Sequence, residues 1–341
     1  MYLGIEIGGT KLQLGVSPGD GSPLVELRRV DVVPSRGADG ILECIESVAP
    51  DLAKRHGVRA LGVGFGGPVN PETGVITTSH QISGWEGVPL GQWCRQLLGC
   101  PAWIGNDCNV AALAEALFGA GQGRRRVFFV TVGTGVGGGF VVDGRLDGDW
   151  RPAIAEIGHL RPGLHAAQPE ANVESLASGW GVAADARARL SDDYVRPISH
   201  WQDSGGKDPN QLQQRMQDAR EANREHRDDL LQRCEGELTE LTSHMVAQAA
   251  ADGNIVAQDV LQHACNVLGW AIAQTITLVA PEVVVVGGGV SLAGESLFFQ
   301  PLREAVAQYV FPPLADSYEI VRASLGESVV VHGALALAAQ G

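Results

Sequence analysis

The chain lacks any close pairing of its six cysteines. Cys44, Cys94, Cys100, Cys108, Cys234 and Cys265 are scattered, and none forms a CxxC or CxC pair. Such thiols read as buried or half-buried and free, in a reducing compartment. Basic residues are also in deficit: 25 Lys and Arg face 39 Asp and Glu, a formal net charge of −14. Nucleic acid and anionic membrane surfaces reward the opposite balance and are disfavoured as main partners. A nucleoside triphosphate is still allowed, since it needs only a local cluster of N–H groups, a lysine and a metal. No apolar run approaches the ~20 residues of a bilayer span. Residues 2–7 read as a strand, not a leader peptide, so a cytoplasmic protein is expected.

Glycine is in excess: 45 of 341 residues, beside 45% hydrophobic residues. The length supports two domains with real cores. The glycines sit in turns between apolar strands, which argues for close backbone approach to a ligand and against disorder. Two of these turns share a design. The first is Ile5-Glu6-Ile7-Gly8-Gly9-Thr10-Lys11-Leu12-Gln13-Leu14. The second is Val130-Thr131-Val132-Gly133-Thr134-Gly135-Val136-Gly137-Gly138-Gly139-Phe140-Val141-Val142. Glycine permits positive φ and lacks the Cβ that would block approach, so such turns leave N–H groups free to converge on an anion. Gly105-Asn106-Asp107 stands between them at a strand-to-helix junction. Together these features point to two related lobes closing on a polyphosphate.

The apolar patterns predict strands at residues 2–7, 12–16, 25–32, 60–65 and 102–104, a hairpin over 127–142, and a buried strand from Val283 running into Gly287-Gly288-Gly289. Helices are predicted at 41–56, 90–98, 109–118, 260–278 and 328–339, the last packing back across the lobe boundary. Hairpins mixed with crossovers indicate an α/β class. Residues 191–240 stand apart. They are polar, and Leu212, Met216, Leu230 and Leu231 are sparse among good helix formers. An inserted, exposed helix or helical hairpin without chemistry is expected.

Five motifs, in order, resemble those of ROK-type sugar kinases. They are Gly4-Ile5-Glu6-Ile7-Gly8-Gly9-Thr10-Lys11, Gly105-Asn106-Asp107, Glu156-Ile157-Gly158-His159, Glu174-Ser175-Leu176-Ala177-Ser178-Gly179 and Pro281-Glu282-Val283-Val284-Val285-Val286-Gly287-Gly288-Gly289. The resemblance covers residue 4 to about 290 apart from the insert. It implies the actin-like ATPase architecture, two ribonuclease H-like α/β lobes around a cleft. The lobes would be residues 1–106 with about 326–341, and 107–325. It implies ATP and Mg2+ as cofactors, a hexose as substrate, most often glucose at its 6-hydroxyl, and a homodimer. Fructose, mannose or an N-acetylhexosamine remain as rival substrates, and a catalytically inactive sugar-binding regulator is the rival from another class. The family's repressors carry a DNA-binding segment before the first glycine turn, which here begins at residue 4.

From spacing alone, Asp107 reads as a helix N-cap. The resemblance makes it the general base that accepts the hydroxyl proton as the phosphoryl group transfers. Asn106 and Gly67, in the Gly66-Gly67-Pro68 turn, fall on the sugar side with it. Glu156, His159 and Glu174 form the implied sugar clamp; carboxylates and an imidazole suit a ring of hydroxyls that donate and accept. Gly8, Gly9, Thr10 and Lys11 would face the outer phosphates. Gly133, Thr134, Gly135 and Gly137 would hold the β-phosphate region, and Gly287, Gly288 and Gly289 would lie beside the adenosine. Gly84-Trp85 and Pro89-Leu90 match a segment near the sugar entrance, although Trp85 also reads as plain core.

The chain departs from the family twice. Most members have a cysteine-rich zinc loop after the Glu156 motif; here the stretch is His165-Ala166-Ala167-Gln168-Pro169-Glu170-Ala171-Asn172-Val173, and no cysteine lies between Cys108 and Cys234. A structural zinc prefers four S or N ligands, and only His159 and His165 are near. Packing by Leu160, Pro162 and Leu164 is expected to replace the metal. Glu6 stands where aspartate is usual, moving its carboxylate outward by about one C–C bond. It is assigned to magnesium through water. Metal analysis of the purified protein is expected to find no stoichiometric zinc; one zinc per chain would mean the loop has been misread.

Overall fold

The computed structural model describes residues 1–79, 82–148, 151, 153–163, 170–190 and 224–341. Residues 164–169 of the loop and the first part of the polar insert, with Leu212 and Met216, lie outside them.

One topology is used twice. The first sheet contains β1 (Tyr2–Ile7), β2 (Lys11–Ser17), β3 (Glu26–Asp31) and β4 (Ala60–Phe65). After the two-residue strands β5 (Val69–Asn70) and β6 (Val75–Ile76) it is completed by β7 (Ala102–Asn106), in the order β3-β2-β1-β4-β7. The second contains β8 (Arg126–Val132), β9 (Val136–Val142), β10 (Arg145–Leu146), β11 (Val283–Gly287) and β12 (Glu319–Arg322), in the order β10-β9-β8-β11-β12. In each, three antiparallel strands are followed by two parallel ones. Thus β1 corresponds to β8 and β4 to β11, and each repeat opens on one of the glycine-threonine turns. The central strands β4 and β11 are buried along their whole length, as parallel strands covered on both faces must be.

The helices are α1 (Gly37–His56), α2 (Leu90–Leu98), α3 (Asp107–Phe118), α4 (Val173–Ala177) and α5 (Gly179–Arg189), then α6 over residues 224–233, α7 (Ser243–Ala251), α8 (Ile255–Val279), α9 (Gln300–Tyr309) and α10 (Val329–Gln340). Helices α1, α3 and α8 begin earlier than the apolar spacing predicts, α1 and α8 by four residues or more. Ala38 N donates to Ser83 O at 2.9 Å, a tertiary contact that holds the first turn of α1. Asn254 caps α8 by accepting from Ala257 N at 3.0 Å. The insert is not wholly exposed. Leu230 and Cys234 are buried in the second core with Leu231 packed against it, and Asn254 Nδ2 donates to His226 O and to Asp229 Oδ2, both at 2.7 Å. Leu230 and Leu231 with Cys234 one turn on suffice for a narrow apolar face, which sparse composition conceals.

The two repeats exchange their last helices. Helix α3 follows β7 of the first sheet but packs on β8 and β9 of the second. Helix α10 follows β12 of the second sheet and packs on β1, β2, β4 and β7 of the first. Where α3 and α10 cross, a Cβ on Gly333 would overlap the carbonyl of Val110; where α10 lies on β4, one on Gly62 would overlap Ala334 O. Backbone therefore meets backbone at this crossing. Gly333→Ala is expected to cost about 3 kcal/mol, the upper end of ordinary overpacking, read as a lowered urea midpoint.

Candidate functional site

The first glycine turn joins β1 to β2 and closes with Gly8 N donating to Lys11 O at 3.0 Å. Gly8, Gly9 and Lys11 are half-buried and Thr10 is exposed. Behind it, Glu6 is 7% exposed. Gln13 Nε2 donates to Glu6 Oε2 at 2.6 Å, and Lys11 Nζ lies 3.5 Å from Glu6 Oε1. Burial pushes the Glu6 carboxyl up, while Lys11 and Gln13 hold it down. Gln13 had no assigned role in the sequence. The signal was present, because residues 6 and 13 are direct partners across the β1–β2 ladder. The neighbouring Trp85 belongs to the core: it is 1% exposed and meets Phe65 edge-on, centroids 4.9 Å apart.

The second glycine turn is a hub. A Cβ on Gly137 would strike Cys108 Sγ at the start of α3, and one on Gly135 would strike the Glu174 carboxylate. Val136 N donates to Glu174 Oε2 at 3.0 Å, and Gly179 N donates to Gly133 O at 2.7 Å. Gly288, at φ +90°, sits against the backbone of Val132. Gly133, Thr134, Gly135 and Gly137 are thus ringed by α3, α4, α5 and the turn after β11. Glu174 is tied to this hairpin, a link the sequence did not show. Gly287 is buried, whereas Gly288 and Gly289 are exposed beside the hub.

Between the two turns lies the β7–α3 junction. Its cap is Asn106, not Asp107. Asn106 Oδ1 accepts from Cys108 N at 2.9 Å and Asn109 N at 3.2 Å, and its Nδ2 donates to Gly67 O at 3.2 Å. One amide hydrogen of Asn106 is left over. Asp107 is the first helical residue; its Oδ1 also accepts from Cys108 N, at 2.8 Å. Burial pushes the Asp107 carboxyl up to about 6, against the hydrogen bonds from Cys108, and the charges of Glu6 and Glu156 push it the same way. Its charged neighbours therefore come from both repeats: Glu6 from β1, Glu156 from the segment after β10. Cys108 was unassigned in sequence; burial and the carboxylates of Asp107, Glu156 and Glu174 raise its thiol well above the ordinary range.

Glu156 precedes a turn in which His159 N donates to Glu156 O at 3.0 Å, and His159 is exposed. Burial raises the Glu156 carboxyl, His159 opposes that and Glu174 adds to it. Ala155, just before, is held at φ +57°, a conformation costly for any residue with a Cβ. The segment is fastened to α4: Val173 N donates to Leu160 O at 2.9 Å, and Asn172 and Ser175 form a capping box at the start of that helix. Leu160 packs against the second core as expected, whereas Leu164 and His165 fall outside the described residues. The donor set does not fit a structural zinc, because the stretch offers two imidazoles and no thiolate. Among the described residues no group of three or more His, Cys, Asp or Glu could hold a metal ion.

A "Glucokinase" of Thermotoga maritima is 27% identical over 335 residues, spanning 98% of this chain and 96% of that one. The structure of a ROK family glucokinase from Streptomyces griseus, in complex with glucose and AMPPNP, is 28% identical with a TM-score of 0.78, covering 100% and 99% of the two chains. A "Bifunctional enzyme NanE/NanK" of Brucella melitensis is 29% identical over 345 residues, which are 99% of this chain and 54% of that protein. The doubled sheet with exchanged helices is the actin-like ATPase fold, as the motifs implied. The ROK family profile matches residues 2–341, and with the fold in agreement, this chain belongs to the ROK family.

Proposed function

We propose that the chain is an ATP-dependent hexose kinase that phosphorylates glucose at its 6-hydroxyl. One observation carries the reading: Asp107 is a carboxyl group tuned to about 6, at the head of a helix joining the two repeats, with Glu6 and Glu156 as its charged neighbours. A base with that affinity is ionised at neutral pH yet basic enough to take a proton from a hydroxyl under attack. The glucokinase names and the glucose and AMPPNP bound in the Streptomyces griseus structure support the substrate pair.

In this reading the lobes are residues 1–106 with 326–341, and 107–325. Gly8, Gly9, Thr10 and Lys11 take the outer phosphates from one side. Gly133, Thr134, Gly135 and Gly137 hold the β-phosphate region from the other, and Gly287, Gly288 and Gly289 lie beside the adenosine. Glu156, His159 and Glu174 accept and donate to the sugar hydroxyls, and the remaining amide hydrogen of Asn106 adds one donor. The Gly67 carbonyl, bound to Asn106, sets that amide's direction. Asp107 receives the 6-hydroxyl proton as the oxygen attacks the terminal phosphorus. Closing the cleft excludes water, so transfer wins over hydrolysis. Magnesium, bound with the phosphates, would neutralise their charge; Glu6 keeps lone pairs free for one of its waters. The enzyme is read as a cytoplasmic homodimer without nucleic-acid or membrane partners; no helix among the described residues is long and apolar enough to cross a membrane.

A coupled ADP-release assay over a hexose panel is expected to give the highest kcat/KM with glucose; turnover of no hexose would remove the kinase reading. Asp107→Asn is expected to lower kcat by about 10²–10⁴-fold while glucose still binds in calorimetry. Equal turnover by this variant would take Asp107 out of the mechanism.

Two pH effects follow from the same carboxyl. The wild-type kcat should rise tenfold per pH unit up to about 6 and then level off, because only ionised Asp107 accepts the proton. Asp107 also binds its proton more tightly folded than unfolded, so the folded state loses stability as pH rises from 3.8 to about 6. Asp107→Asn should therefore be more stable than wild type at pH 7.5, by about 1–3 kcal/mol. That gain should vanish near pH 3.5, as thermal melts at the two pH values would record.

A further inference from the structure

Glu115 is a buried carboxylate with no part in this chemistry. It lies on α3 about two turns beyond Asp107 and is 0% exposed. Its Oε1 accepts from Ser324 N and Leu325 N, both at 2.9 Å. Its Oε2 accepts from Ala120 N at 2.8 Å and Ser324 Oγ at 3.3 Å. Three of the four donors are backbone N–H groups, so the position calls for a side chain that only accepts. A purely local role, finishing the end of α3, accounts for the Ala120 contact. It does not account for Ser324 and Leu325, which lie 209 and 210 residues away in sequence.

Residues 323–328 connect β12 of the second sheet to α10, which packs on the first. The far end of this segment is also held. Glu327 O accepts from Gln13 Nε2 at 3.1 Å and from Lys11 Nζ at 3.5 Å. Gln13 and Lys11 are the same two groups that hold Glu6. A continuous set of contacts thus runs from the helix bearing Asp107, through Glu115 and residues 324–327, to the first glycine turn.

We propose that Glu115 is a positioning residue: through residues 324–327 it fixes the first glycine turn relative to the helix that carries Asp107. The rate consequence rests on the hexose kinase reading; the mechanical coupling does not. A displacement of about 1 Å between reacting groups can cost on the order of 10²-fold in rate.

The test is Glu115→Gln in the full chain, compared with wild type by hydrogen exchange and by steady-state kinetics. Glutamine keeps the shape but turns an NH2 group toward backbone donors. Protection is expected to fall at residues 324–327 and also at residues 8–13, which do not touch Glu115. With it, kcat should fall roughly tenfold or more and KM for ATP should rise, while the calorimetric Kd for glucose stays within about twofold. Wild-type exchange at residues 8–13 overturns the proposal, whatever kcat does, because a local structural role loosens only the ends of α3 and the 323–325 turn. Should Glu115→Gln fail to fold, Ser324→Ala decides. It removes only the 3.3 Å hydroxyl contact and should deprotect residues 8–13 to a smaller extent; unchanged exchange there overturns the proposal. If wild type phosphorylates no hexose, the kinase reading fails while the exchange comparison still decides the coupling.

Discussion

The structure depends on the crossing of α3 over α10, where two helical backbones meet without an intervening side chain. Each helix leaves one sheet and is buried on the other, so neither repeat is complete without its partner. Gly333 against Val110 and Gly62 against Ala334 make the approach close enough for this exchange. Close-packed interiors transmit displacement rather than absorb it. A rotation of one sheet therefore has to travel through these two helices and the turns that precede them. Asp107 begins one of those helices, and the Ser324–Leu325 turn precedes the other.

The electrostatics at the crevice are the second constraint. Carboxylates from separate parts of the chain, Glu6, Asp107, Glu156 and Glu174, are gathered there, partly removed from water. Each is treated differently. Glu6 has an ammonium and an amide beside it, and Glu174 accepts a backbone N–H from the second glycine turn. Asp107 is bonded by Cys108 alone, through its thiol and through its amide, the latter shared with the Asn106 cap. Burial, with the charges of Glu6 and Glu156 nearby, outweighs that bonding and pushes the Asp107 carboxyl up to about 6. Carboxyl groups perturbed by burial and neighbouring charge cluster at functional sites.

The segment from Glu156 to Glu174 is held without a metal-binding cysteine cluster. With no thiolates between positions 108 and 234, the turn carrying Glu156 and His159 is fastened by ordinary means. The Leu160–Val173 backbone bond, the buried Val173 side chain and the Asn172–Ser175 capping box fix it to the start of α4. Glu174 is the second residue of that helix, so the same fastening aims its carboxylate. A capping box contributes about 1 kcal/mol, far less than a structural zinc, but it acts on a short connection whose far side is already in the core.

Local order was legible in the sequence because it is written in local patterns. The strands β1 and β4 and the helix α2 follow from apolar runs and spacing, and both glycine turns follow from residue type. The pairing of the turns and the order of the motifs marked out the family. The Asn254 cap and the Glu6–Gln13 cross-strand pair were also readable, since each depends only on near neighbours or on the register of one hairpin. What the tertiary structure alone decided is of another kind. Asn106 took the cap that spacing gave to Asp107, because the carbonyl of Gly67 orients its amide. Trp85 became core because Phe65 stands edge-on to it, and Leu230 became core because the second sheet's helices leave it a place. Glu115 acquired two partners more than two hundred residues away. Burial, charge neighbours and long-range hydrogen bonds are properties of where segments meet, and a one-dimensional pattern carries no record of that meeting.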